Sequence, residues 1–226
     1  MENTLYFDLA PDEAAMQERH GEYVVLDQEV RLWLDRNRVG LTRLSIQRHP
    51  PAEQSGDAVL EIVLRVIADA DPDCRFESLR LTLDFSNTPN VLVRDMVPAE
   101  VLGKDPVKIT SKWIKGLSLE MEQFKLGPSF SHEHSIESQV YLPEIRGIGI
   151  GFNKAVWTFD HLPGAPLYAI NKDLRLLVSL PSHLNALPAN GTIRVEIARQ
   201  GWTRVLPLIG HQAMHIDLPE NLASQL

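Results

Sequence analysis

A chain of 226 residues that is 44% hydrophobic and 23% charged has the balance of a folded domain and excludes disordered or collagen-like classes. Its net charge of −8 and pI near 5.5 repel phosphate backbones, and no Lys or Arg run offsets this, so nucleic acid is not an expected partner. Cys74 is the one cysteine, so no internal disulfide forms, and the absence of a signal-like start or a long apolar stretch leads us to expect a soluble cytoplasmic protein.

Pro11 to Gly21 reads as a short helix, with Asp12 as its cap, Glu13 in its first turn and Gly21 at its end. After it the helical period gives way to alternation. Tyr23 to Leu26 is a short strand, and Val30, Leu32 and Leu34 alternate with Arg31, Trp33 and Asp35 up to a predicted turn at Asn37 to Gly40. Leu44 and Ile46 then resume the pattern as the second arm of a hairpin. His49 to Gly56 is a predicted loop, because Pro50 and Pro51 cannot continue a ladder. Leu60, Ile62, Leu64 and Val66 mark a central strand over Ala58 to Ala68, and Leu79, Leu81, Leu83 and Phe85 a strand with one buried face. Asn90 to Arg94, Lys108 to Ile114, Leu174 to Leu180, Thr192 to Ala198 and Trp202 to Ile209 are further strands. Pro143, Pro163, Pro166, Pro181 and Pro188 are read as their separators.

Residues 116 to 142 draw most notice. Leu117, Leu119 and Met121 alternate with Ser118, Glu120 and Glu122; after Gly127-Pro128, Phe130, Ile136 and Val140 alternate with Ser129, Ser131, Glu133, Ser135, Glu137 and Gln139. Alternation around a Gly-Pro break predicts a long hairpin with its turn at Gly127-Pro128. Beyond it, Gly147-x-Gly149-x-Gly151 lacks the spacing and the following helix that a pyrophosphate site needs. It predicts a bulged or closely crossed strand in which side chains would not fit. In the next strand Ala155, Trp157 and Phe159 share one face, which we expect to be core.

No nucleophile elbow, P-loop or zinc-protease motif is present. Asp69-x-Asp71-x-Asp73 opens like a calcium loop, but Cys74 and Arg80 stand where such a loop needs Gly and Glu. The same aspartates disfavour a Cys74 thiolate. His132 and His134 share a strand face, as do His211 and His215 within a turn's spacing, yet zinc requires a third protein ligand.

Residues 116 to 164 resemble prokaryotic β-rich proteins that carry a polar hairpin, an I-x-G-x-G turn (Ile148 to Gly151) and an N-x-A-x-W-x-F strand (Asn153 to Phe159). The resemblance implies no activity and no site residue. Pore-forming proteins also resemble this chain, in holding Ser-rich amphipathic hairpins. The lipid face here would include His132, His134 and Ser138, and the first arm loses phase at Gln123-Phe124, so membrane action is the lesser expectation.

The expected fold is mainly β: an antiparallel β-sandwich or related open barrel with a long hairpin and one short N-terminal helix, forming one domain over residues 1–226. A boundary near residue 105, at Gly103 to Pro106, is the alternative. The expected function is non-catalytic: binding a protein partner, as an accessory or assembly component, through Phe130, Ile136, Gly127 and Pro128, with no cofactor. A membrane-acting protein using the 116–142 hairpin is the alternative. A metal-binding module or metal-dependent enzyme, with His132, His134, Asp69, Asp71 and Asp73 as candidate ligands, is a further one.

Overall fold

Period-two alternation places successive side chains on opposite sheet faces, and in this chain it builds two antiparallel sheets around one core. The computed structural model describes residues 4–20, 36–49, 57–103, 107–114, 133–140, 142–162, 167–201 and 205–219. Contacts divide it into two units: residues 1–101 with 143–226, here called the body, and residues 102–142.

The first sheet of the body runs β1 (Thr4–Tyr6), β3 (Arg38–His49), β4 (Asp57–Asp69), β12 (Ala169–Pro181) and β6 (Leu92–Val97). The second runs β2 (Ala10–Pro11), β14 (Val205–Asp217), β13 (Ala186–Arg199), β5 (Cys74–Asp84), β11 (Lys154–Asp160), β10 (Pro143–Ile148) and β7 (Glu100–Leu102). Leu60, Ile62, Leu64 and Val66 of β4 and Leu174, Leu176 and Val178 of β12 supply one wall of the core. Leu79, Leu81 and Leu83 of β5, Trp157 and Phe159 of β11, and Ile193 and Val195 of β13 supply the other. A sandwich is the result, and each sheet takes strands from both ends of the sequence. Helix α1 (Glu13–His20) is capped as its sequence implies: the Ala15 amide donates to the Asp12 carboxylate at 3.2 Å.

The face that carries Trp157 is the buried one expected: Trp157 is fully enclosed beside Ala155 and Phe159, and its indole N–H donates to the Pro98 carbonyl at 3.1 Å. Three bulges re-phase the strands. In β3, Arg43 pairs with Leu64 and Ser45 with Val63, leaving Leu44 unpaired. The expected Leu44–Ile46 face is therefore corrected: Ile46 packs on the core, and the inward parity before the bulge belongs to Val39, Leu41 and Arg43. Glu77 is skipped in the same way opposite β13, which lets both Phe76 and Leu79 point inward, and Arg94 is skipped opposite β12.

The predicted turn at Asn37 to Gly40 is also corrected. β3 already begins at Arg38, and Gly40 pairs with Tyr6 on one side and Ile67 on the other. Its glycine serves close approach, since a Cβ there would sit 2.9 Å from Thr4 Cγ2. Pro188 is no separator but lies within β13, opposite His215 of β14. The ladder from β13 to β5 begins only at Asn190, so the proline's missing donor falls on the unpaired side. The strands predicted at Tyr23 to Leu26 and Val30 to Leu34 lie outside the described residues.

Candidate functional site

The unit of residues 102–142 holds a two-stranded sheet of its own, made by β8 (Val107–Ile114) and β9 (Glu133–Val140). This corrects the predicted pairing. The described part of the Ser-rich arm, Glu133–Val140, is laddered to Val107–Ile114, with Ile114 opposite Glu133, while Gly116 to Leu126 lies outside the described residues. At the base of the excursion the Gly103 amide donates to the Leu142 carbonyl at 2.9 Å, so the chain leaves and returns at one point.

Directly opposed residues share a face of a ladder, and successive rungs alternate faces. One set of rungs is Val107–Val140, Ile109–Ser138, Ser111–Ile136 and Trp113–His134. The other is Lys108–Gln139, Thr110–Glu137, Lys112–Ser135 and Ile114–Glu133. The first set is mainly apolar. The second is charged and polar apart from Ile114, and its register sets Lys112 diagonal to both Glu133 and Glu137. Sequence reading missed Val107, Ile109 and Trp113 as partners of β9, because it kept Lys108 to Ile114 as a separate strand. The lysines at 108 and 112, matching the glutamates of β9, were the available signal. Of the predicted docking residues, Ile136 is on the apolar set opposite Ser111, while Phe130, Gly127 and Pro128 lie outside the described residues.

The body carries an apolar surface as well, at the turn between β10 and β11. Ile148, Ile150 and Phe152 are 67%, 54% and 68% exposed, and each is large enough that such exposure is uncommon. The turn is fixed by backbone hydrogen bonds to β6: Gly151 N–H to the Val93 carbonyl and Val93 N–H to the Phe152 carbonyl, both 2.8 Å. Leu92, beside Val93, is exposed too. The glycines do what close crossing requires. A Cβ at Gly147 would meet the Pro98 carbonyl at 2.8 Å, one at Gly149 would meet the Lys154 carbonyl at 2.2 Å, and Gly151 holds φ of +85°.

Asp69, Asp71 and Asp73 do not converge as a calcium cradle. Asp69 is exposed at the end of β4, whereas Asp71 is buried, accepts from the Asp73 amide at 3.1 Å and faces Arg36 at 3.4 Å. This is a turn-closing aspartate. Burial, followed by the nearby Asp71 carboxylate, pushes the Cys74 thiol above its ordinary range, and Cys74 is enclosed. His134 stands opposite Trp113, His132 lies outside the described residues, His211 contacts Thr192 Oγ1 at 3.2 Å, and His215 faces Asp217 at 3.5 Å. Among the described residues no three His, Cys, Asp or Glu side chains gather closely enough for a metal, and no helix is long and apolar enough to cross a membrane.

No family model and no curated protein matches the sequence. Among solved structures the chain is similar to the Clostridium perfringens NetB toxin in its membrane-inserted form, at 9% identity and a TM-score of 0.34, over 94% of each chain. It is similar to Clostridium perfringens delta-toxin at 10% identity and a TM-score of 0.39, covering 96% of this chain and 86% of the toxin. A structure described as a pore forming protein matches at 10% identity and a TM-score of 0.37, with 95% and 88% covered. Values this low carry no argument about activity.

Proposed function

We propose that this protein acts on membranes, using the 102–142 unit as a β-hairpin that enters lipid. The observation that carries the reading is the β8–β9 ladder: a separate two-stranded sheet with one apolar and one polar set of rungs. An isolated hairpin is marginal in water and gains stability only by covering its apolar face. In hydrocarbon every backbone group must also be paired, so such hairpins serve as staves of a closed barrel, apolar side to lipid and polar side to the lumen.

The described register ends at Ile114 opposite Glu133. Counted along the sequence, the alternation of the Ser-rich arm, from Ser129 to Leu142, reaches the 9–11 residues that a spanning strand takes, whereas Lys115 interrupts it in the first arm. Ser111, Ser138 and His134 interrupt the apolar rungs. His134 is opposite Trp113, a residue type that favours the headgroup level, where polar groups cost least. Strand-edge capture of a protein partner by the body has less to stand on, since β2 has two residues, β1 and β7 three each, and β6 six.

Dye-loaded vesicles of zwitterionic phosphatidylcholine test the reading, since a net charge of −8 disfavours anionic surfaces. The protein should release dye. The paired changes Phe130→Ser and Ile136→Ser should abolish release while leaving the dichroism spectrum of the body intact. An absence of release from both zwitterionic and anionic vesicles at micromolar protein would overturn the proposal.

A further inference from the structure

The turn between β10 and β11 is fixed in a form that keeps its apolar side chains outside. The Phe152 amide donates to the Gly149 carbonyl, and Gly151 and Phe152 are both hydrogen-bonded to Val93 of β6. The Phe85 amide, just past β5, donates to the Asn153 carbonyl at 2.9 Å. Gly149 has no room for a Cβ and Gly151 holds a left-handed φ, so the backbone path is set at both positions. Ile148, Ile150 and Phe152 cannot fold back onto the core without breaking these bonds. Holding three large apolar side chains in water has a standing cost, and nothing in the sandwich gains from it.

Charge is arranged around the same turn. From Ile145 to Phe159 there is no carboxylate, although the chain holds 30 Asp and Glu. Arg146 and Lys154 flank the turn and hold Asp160 and Asp84 respectively, each at 2.8 Å, so those acids are compensated. Arg94, next to Val93, is exposed and anchored through Nε to Ser179 Oγ at 2.8 Å. An apolar tip with cations and no uncompensated acid beside it suits a layer of phosphate groups over hydrocarbon. A protein partner fits it less well. Even fully covered, Leu92, Ile148, Ile150 and Phe152 fall well short of the ~800 Å² that each side of a stable protein interface buries. A hydrocarbon layer sets no such minimum, because a protruding tip is covered from every side as it enters.

We infer that the Ile148–Phe152 turn docks the body on the surface of a zwitterionic phospholipid bilayer, with its apolar side chains at the headgroup–acyl boundary and Arg94 on phosphate. The inference rests on the membrane reading in taking lipid as the surface, but it does not require the hairpin to insert. Docking belongs to the turn; release belongs to the hairpin.

Sedimentation with phosphatidylcholine vesicles, read beside dye release, tests this on the full chain. The unaltered protein should partition onto the vesicles. Ile150→Ser combined with Phe152→Ser, both at exposed positions, should weaken partitioning at least about tenfold with the thermal midpoint unchanged. Phe130→Ser combined with Ile136→Ser should lose release yet still partition. A fluorophore on Ile150→Cys gives a second readout that does not depend on that double variant folding, since Cys74 is enclosed and escapes labelling. Its emission should rise on vesicle addition and be quenched more by a spin label near the headgroups than by one deep in the acyl chains. The same label at Ala213→Cys, exposed on β14, should not respond. Partitioning that survives the turn substitutions, or a label at Ile150 that stays in water, would overturn the inference while leaving the hairpin reading standing. Partitioning that the turn substitutions abolish, without any release from the unaltered protein, would support docking and remove the hairpin reading. A dimer dissolved by the turn substitutions, in place of vesicle binding, would assign the turn to a second copy and overturn the inference.

Discussion

Trp157 carries more of the core than any other single side chain in β11, because it is fully enclosed and its one polar atom is satisfied by Pro98. Trp157→Ala should cost about 3–5 kcal/mol in denaturant unfolding, as large-to-small core changes do. A loss under about 1 kcal/mol would contradict this placement. The glycines of the next turn separate two effects that sequence alone merges. Gly149→Ala combines an unfavourable φ of +149° with a Cβ 2.2 Å from a backbone oxygen, so strain and overcrowding, each about 1–3 kcal/mol, should both appear. Gly151→Ala meets nothing within 4 Å and should cost only the left-handed backbone, about 1–2 kcal/mol. Equal losses in the two variants would show that space is not the limiting factor at Gly149. That these glycines serve crossing rather than phosphate binding was legible, since the spacing was wrong for a phosphate loop. The exposure of Ile148, Ile150 and Phe152 was not, because apolar residues spaced by glycine read equally well as core.

At the scale of elements, long strands were legible wherever one parity stayed inward, as in β4 and in β5 from Leu79 onward. They became misleading at the bulges, where one skipped residue at Leu44 exchanges the faces while leaving the composition unchanged. The hairpin shows the same limit for pairing. Alternation identified β9 but could not say which alternating segment it meets, and Gly127-Pro128 drew the pairing toward the nearer one. The Gly103–Leu142 hydrogen bond makes the hairpin separable: replacing residues 104–141 by a Gly-Ser turn should leave the body folded, with a thermal midpoint within a few degrees of the intact chain. A body that fails to fold without this segment would refute the division. The same variant should show no vesicle release.

At the scale of the whole molecule, ion pairs along the outer sheet faces link stability to pH. Hydrogen bonds from the Arg65 guanidinium hold the Asp173 carboxyl below its ordinary value of 3.8, against slight burial. Burial alone would raise Asp84, but hydrogen bonds from Lys154 and Ser86 and the Lys154 charge together outweigh it and leave that carboxyl lowered too. A carboxyl lowered in the folded state adds stability above its unfolded value, and that contribution is lost as pH falls through the folded one. Unfolding free energy should therefore stay level from pH 7 to about 5 and decline below about 4. Lys154→Met should flatten part of that acid limb, and an unchanged limb would remove Asp84 from the account. The two-layer β architecture was legible because it follows from many short alternating strands and turn residues. Which strands meet was not, because each sheet draws on both ends of the chain through contacts that no local pattern records.

One feature of the covalent layout bears on how such a molecule can change over generations. Because the excursion begins and ends at the Gly103–Leu142 contact, its length enters the folding balance of the body only through loop closure. That cost grows logarithmically, by about 0.6 kcal/mol per doubling of the loop. Pairs of residues can be added to or removed from both arms together, keeping parity and face, while the sandwich is left almost untouched. The reach of the hairpin is thereby free to change without a change in the sandwich.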